Sequence, residues 1–122
     1  MKNIDILKMY NALSSDTLVN SKTALSTVVL AGKLKNIRIL TPYVQDWETA
    51  KNELIKRFGS ADENGNYSVP TNHPDFVKEF NALNNIEHGE LRDALKFVKI
   101  EDLPETMDPR EFELLSVMID LE

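Results

Sequence analysis

No cysteine occurs among the 122 residues, which excludes disulfide frameworks, thiolate zinc sites and thiol nucleophiles together. Glycine occurs only four times; Gly59, Gly65 and Gly89 are too scattered to cradle a phosphate, and neither a P-loop nor a dinucleotide-binding motif is present. Histidine occurs twice. His73 precedes a proline and His88 sits in the polar run Glu87-His88-Gly89-Glu90, neither within an HExxH pattern. Exposed or capping roles are therefore expected for both, with a two-histidine metal site using Glu87 or Glu90 as the minor alternative. The longest apolar run, residues 27–31, falls far short of the roughly 20 residues that span a membrane. The first residues carry an early acid and no apolar run, so no secretory signal is expected and a cytoplasmic location is.

What the chain does contain is charge and apolar periodicity. With 42% hydrophobic and 28% charged residues, a single domain with a real core is expected over 1–122, comprising a helical half (1–59) and a mixed, acidic half (60–122). The formal net charge of −6 argues against non-specific binding to DNA or RNA, which requires clustered Lys and Arg. Split by position, the charge becomes informative. Residues 1–60 hold nine Lys and Arg against five Asp and Glu, a net of +4, and residues 61–122 hold five against fifteen, a net of −10. From residue 101 to 122 there are eight acids, opposed only by Arg110.

Residues 3–13 read as a first helix through Ile4, Leu7, Met9 or Tyr10, and Leu13, and Ser14-Ser15-Asp16 can cap a successor. From there to Phe58 an almost uninterrupted stripe runs through Leu18, Leu25, Val28, Val29, Leu30, Leu34, Ile37, Leu40, Val44, Trp47 and Leu54. Lys56 and Arg57 before Gly59 suit a helix C-terminus followed by a residue free to adopt positive φ. Pro42 interrupts this run. Thr41-Pro42 could open a new helix, yet the stripe keeps its phase across the proline, which favours one long helix that kinks there. Asn64-Gly65 marks a turn, and Tyr67-Ser68-Val69 alternates like a short strand. Asn72-His73-Pro74 opens a helix ending near Asn84 or Asn85. Residues 94–100 suit a second strand, pairing with Tyr67-Ser68-Val69 in a two-stranded ribbon. Asp108-Pro109 begins a last helix. The expected fold class is α+β, mainly α: a long helix packed with shorter helices and a small β-ribbon.

No catalytic constellation emerges. Gly65 is fourth counted from Asp62 and the twelfth position is His73, so the acidic turn does not suit an EF-hand. No serine stands in a GxSxG context, and Glu111 and Glu113 diverge on a helix. A non-enzymatic protein without cofactor or metal is expected. Tyr43 and Trp47, four apart, belong by default to the core, with an interface anchor as the alternative. Phe112, Leu114, Leu115, Val117, Met118, Ile119 and Leu121 would cover more than half of the last helix, more than one neighbour can bury, which points to a homo-oligomer with Phe112, Leu115, Met118 and Ile119 at its interface. Glu101, Asp102, Glu105 and Asp108 form a candidate acidic patch for a basic protein partner, against the blander reading of a solvated acidic surface.

Asn11-Ala12-Leu13 closing a first helix, Glu53-Leu54-Ile55-Lys56-Arg57-Phe58-Gly59 closing a long one, the turn Asp62-Glu63-Asn64-Gly65-Asn66, and Ile100-Glu101-Asp102-Leu103-Pro104 before a short helix resemble small, functionally unassigned proteins of tailed phages and prophages of Gram-positive bacteria. No catalytic residue comes with that resemblance, and Pro42 departs from the uninterrupted long helix of the layout. It implies a phage or prophage context and, with the apolar face of the last helix, the expectation is an accessory or assembly protein acting as a homo-oligomer in the host-cell cytoplasm. The alternative is an acidic inhibitor that occupies a nucleic-acid-binding surface of a host protein. Both involve a protein partner, no direct nucleic acid and no membrane.

Overall fold

The computed structural model describes residues 1–70 and 72–120. Helix α1, Asn3–Leu13, is followed by the single turn α2, Asp16–Val19, for which Ser15 supplies the cap by accepting the Thr17 N–H. The expected run of helix from residue 16 onward is interrupted. Residues 20–26 are irregular, pinned by the Thr23 hydroxyl donating to the Glu111 carboxylate at 2.6 Å. Helix α3, Thr27–Phe58, begins at Ser26, whose hydroxyl caps the Val29 N–H.

The 32 residues of α3 give a rod about 48 Å long at 1.5 Å per residue. It continues without a break through Pro42. The ring is exposed, so the Arg38 carbonyl, deprived of its partner N–H, faces water rather than the core. The preceding Thr41 hydroxyl donates to the Ile37 carbonyl at 2.7 Å. A mid-helix proline costs up to about 3 kcal/mol even next to solvent. Pro42→Ala is therefore expected to stabilise the protein by that amount in urea denaturation; an unchanged or lower midpoint would show that α3 bears no such cost.

Periodicity located the buried face of α3 in part. Val29, Leu40 and Val44 turn inward as expected, joined by Gly32 and Asn36, whereas Val28, Leu30 and Leu34, also expected within the stripe, are 51%, 43% and 52% exposed. Similarly, α1 buries Ile6, Met9, Leu13 and Asn3, leaving Ile4 and Leu7 half-buried. These faces meet, and Leu18, Leu91, Leu95, Val98, Leu115, Met118 and Ile119 complete one aliphatic core.

Farther along α3 the packing is aromatic. Helix α4, Pro74–Asn84, is capped by the His73 ring accepting the Phe76 N–H and buries no residue fully. Phe76 stacks on Phe80 at 5.6 Å, and these two meet Phe58 and Trp47 of α3 at 6.4 and 6.1 Å. Such ring pairs each contribute about 0.5–1.5 kcal/mol beyond area burial.

Strand pairing differs from expectation. Strand β2, Tyr67–Ser68, pairs antiparallel with β1, Ser60–Ala61, and not with residues 94–100. Gly59 makes this hairpin possible through close approach rather than through positive φ: its φ is −100°, and a Cβ there would lie 2.5 Å from the Ile55 carbonyl and 2.6 Å from that of Ser68. In the turn, the Asp62 carboxylate accepts the N–H groups of Asn64 and Asn66 at 2.8 and 2.9 Å. After the short helix α5, Leu91–Ala94, strand β3, Val98–Lys99, pairs in parallel with β4, Ile119–Asp120.

The last helix is also shorter than expected. Helix α6 covers only Pro109–Leu115; a 3₁₀ turn, Ser116–Met118, and β4 follow. Changing geometry twice within a dozen residues lets the apolar side chains point in several directions, so one chain can bury most of them. The α+β, mainly α class holds, with a small antiparallel ribbon at the far end of α3.

Candidate interaction surfaces

The apolar residues proposed for an interface separate into three groups. Leu115 and Met118 are fully buried and Ile119 is 6% exposed, so their interface assignment gives way to a core role within one chain. Phe112 remains at the surface, 36% exposed. Tyr43 and Trp47 are half-buried and engaged within the chain. The Trp47 indole N–H donates to the Asn84 side chain at 2.9 Å and the Lys51 ammonium lies over its ring, while Tyr43 meets the His88 ring edge-on at 4.9 Å. Leu121, part of the expected apolar face, and Glu122, the end of the acidic run, lie outside the described residues.

Tyr43 and Trp47 line an open groove of about 280 Å³ with Asn3, Asp46, Ala50, Leu83, Ile86 and His88. It thus brings a histidine and an acid from distant segments into one depression. His88, however, has a positioning task. Its Nε2 lies 2.8 Å from Asn3 Oδ1, and the Asn3 amide nitrogen donates to the Leu83 carbonyl at 2.8 Å. Asn3 Oδ1 must then accept, so His88 carries its proton on Nε2. The pair clamps the start of α1 to the chain leaving α4, reinforced by the Asn3 N–H donating to the Ile86 carbonyl and the His88 N–H to that of Met1. His73 is far away. It packs on Phe58, fifteen residues along α3 from Tyr43, or about 22 Å, so the two histidines do not converge. Among the described residues, no group of three or more His, Asp or Glu is placed to hold a metal ion.

The four acids of the predicted patch divide evenly. Asp102 accepts the Lys99 N–H at 3.0 Å, and Asp108 caps α6 by accepting the Arg110 N–H at 2.8 Å. The Arg110 side chain, and then its backbone N–H, hold the Asp108 carboxyl below its ordinary range. A depressed carboxylate contributes its stability above the unfolded-state value and loses it as the pH falls through the lowered one, and salt screens an exposed pair of this kind. Glu101 and Glu105 are exposed and serve no such local purpose. They stand at the rim of an open recess of about 700 Å³ whose other lining residues are Ile100, Leu103, Pro104, Met107, Pro109 and Phe112.

No protein-family model, curated protein or solved structure matches the chain.

Compared with the Tyr43–Trp47 groove, the recess is the more open to a partner. Its side chains are not tied up in cross-links: Ile100 is 51% exposed and Phe112 36%, and the residues lining it include two acids and no cation. Two chain features build it. The 3₁₀ turn Ile100–Asp102 directs Ile100 outward, and the connecting loop runs through Pro104 until Asp108 and Pro109 open α6. Sequence patterning identified the acids and Phe112 separately; it carried no signal that they would share one site, because the loop between them sets their approach. No described helix is long and apolar enough to cross a membrane.

Proposed function

We propose that the chain is a non-catalytic protein-interaction protein, and that the recess over residues 100–112 receives a basic, apolar segment of a protein partner. The observation that carries this reading is the combination of exposed Ile100 and Phe112 with Glu101 and Glu105 around a cation-free lining. An apolar floor supplies affinity, and an unopposed acidic rim selects and steers positive partners. The resemblance to phage and prophage proteins supports an accessory or assembly role in that setting. A host surface that ordinarily holds nucleic acid has the same basic character, so the inhibitor reading is a special case of this docking chemistry.

The test uses a fluorescent peptide alternating lysine or arginine with leucine, and a lysine-only peptide of equal charge. Binding of the first is expected to exceed that of the second. It should weaken by about tenfold, equivalent to 1.4 kcal/mol, in Glu101→Lys/Glu105→Lys and in Phe112→Ala. Equal binding to wild type and both variants would remove the recess from consideration.

A further inference from the structure

The chain itself carries a surface with the character that the recess selects. Residues 17–45 contain Lys22, Lys33, Lys35 and Arg38 and not one Asp or Glu. Within this stretch, Leu30 and Leu34 lie four apart on α3 and are 43% and 52% exposed. Two leucines side by side on a helix, each about half in water, form an apolar stripe open to solvent. Lys33 and Arg38 stand on either side of it, and neither forms an ion pair with a described residue. The stripe is thus apolar and cationic where the recess is apolar and anionic.

Their placement matters as much as their charge. The Ser26 hydroxyl donates to the Asp102 carbonyl at 3.3 Å, joining the first turn of α3 to the segment that builds the recess. Ser26, Leu30, Lys33 and Ile37 follow one another at intervals of four, three and four and so share one flank of α3. The stripe therefore begins one turn beyond the contact with the recess wall. Complementary patches on adjoining segments suit an isologous dimer, in which a two-fold axis would set the stripe of each copy on the recess of the other.

Resting on the reading of the recess given above, we infer that its partner is a second copy of this chain, bound through the Leu30–Leu34 stripe with Lys33 and Arg38 facing Glu101 and Glu105. This self-association differs from one through the last helix, because Leu115, Met118 and Ile119 are unavailable. The contact uses each patch twice, so modest patches can sum to an interface of useful size.

Sedimentation velocity at about 100 µM protein and low salt tests this with two variants, Glu101→Lys/Glu105→Lys and Lys33→Glu/Arg38→Glu. All four positions lie at or near the surface, and circular dichroism confirms that each variant keeps its helix content. Wild type is expected to sediment as a dimer whose dissociation constant rises at least tenfold as salt shortens electrostatic reach to about 3 Å near 1 M. Each variant alone should be monomeric, because both of its patches then carry the same sign. An equimolar mixture of the two should recover the dimer. A third variant, Leu34→Asp, should be monomeric in every mixture. A monomeric wild type would overturn the inference, as would a mixture that stays monomeric. If wild type is monomeric yet still binds the basic leucine peptide through Phe112, the second-copy occupant fails and the docking function stands. If it does neither, both fail.

Discussion

Replacing Asn36 by leucine is expected to destabilise the protein by about 3 kcal/mol, the share of two orphaned backbone groups at roughly 1–3 kcal/mol each after the gain from a buried apolar side chain. Asn36 is completely buried on α3. Its amide nitrogen donates to the Lys96 carbonyl and its amide oxygen accepts the Lys96 N–H, both at 2.7 Å. One side chain therefore pairs with a peptide unit as a neighbouring strand would. The approach is close because Gly32, one turn earlier, has no side chain: a Cβ there would lie 3.1 Å from Lys96 Cγ and 3.2 Å from Met118 Cε. Gly32 and Asn36 together form a notch into which residues 95–97 fit. A loss of 3 kcal/mol is a large part of the 5–15 typical of a domain, and should lower the thermal midpoint by about 10 °C.

Asn36→Asp refines the prediction. It keeps the acceptor for Lys96 N–H but turns an anionic oxygen toward the Lys96 carbonyl, so it should also be strongly destabilising at neutral pH. Burial raises the pKa of such a carboxyl, and once protonated it can donate to that carbonyl. Its stability relative to wild type should therefore recover as the pH falls. A loss below about 0.5 kcal/mol for the leucine variant, within the range of ordinary surface substitutions, would mean that this crossing does not hold the fold together.

Leu115→Ala is expected to cost a further 3 kcal/mol or so, within the 2–5 typical of emptying a buried leucine site. The prediction separates two accounts of the C-terminal apolar residues. Leu115 is fully buried among side chains of its own chain, so the midpoint of the variant should fall by about the same amount at every protein concentration. If Leu115 instead contributed to a subunit interface, the loss would grow on dilution, since mass action couples stability to assembly. A hundredfold dilution series of wild type and variant by thermal denaturation distinguishes the two.

Much of the helical content was legible before the fold. Residues 3–13 carry an apolar period, and the bounds of α1 coincide with it. The end of α3 was marked by Lys56, Arg57 and Gly59, and the start of α4 by His73-Pro74. These are local signals, arising from the first and last turns of a helix, whose orphaned N–H and C=O groups need nearby partners. Glu101, Glu105 and Phe112 were individually visible as acids and an aromatic at the polar end. Their convergence was not, since it depends on how two prolines and a 3₁₀ turn route the loop.

Strand partners were illegible for a different reason. Each strand has two residues, too few to show a period, and the expected Tyr67-Ser68-Val69 ribbon lost to the nearer Ser60–Ala61, which a tight turn closes at less entropic cost. The parallel pair β3 and β4 depends on contacts across twenty residues. Nothing in either segment alone names the other.

By itself the sequence determined that the chain would be mainly helical, where its long helix would stop, and that its charge would separate into a basic first half and an acidic second, because each of these depends on neighbours along the chain. Tertiary structure alone decided how the wide apolar stripe of α3 divides between core and water. Val29, Leu40 and Val44 went inward on the side carrying Gly32 and Asn36, where a backbone could approach closely and find hydrogen-bond partners. That choice left Leu30 and Leu34 in water beside two cations, next to the recess that would fit them.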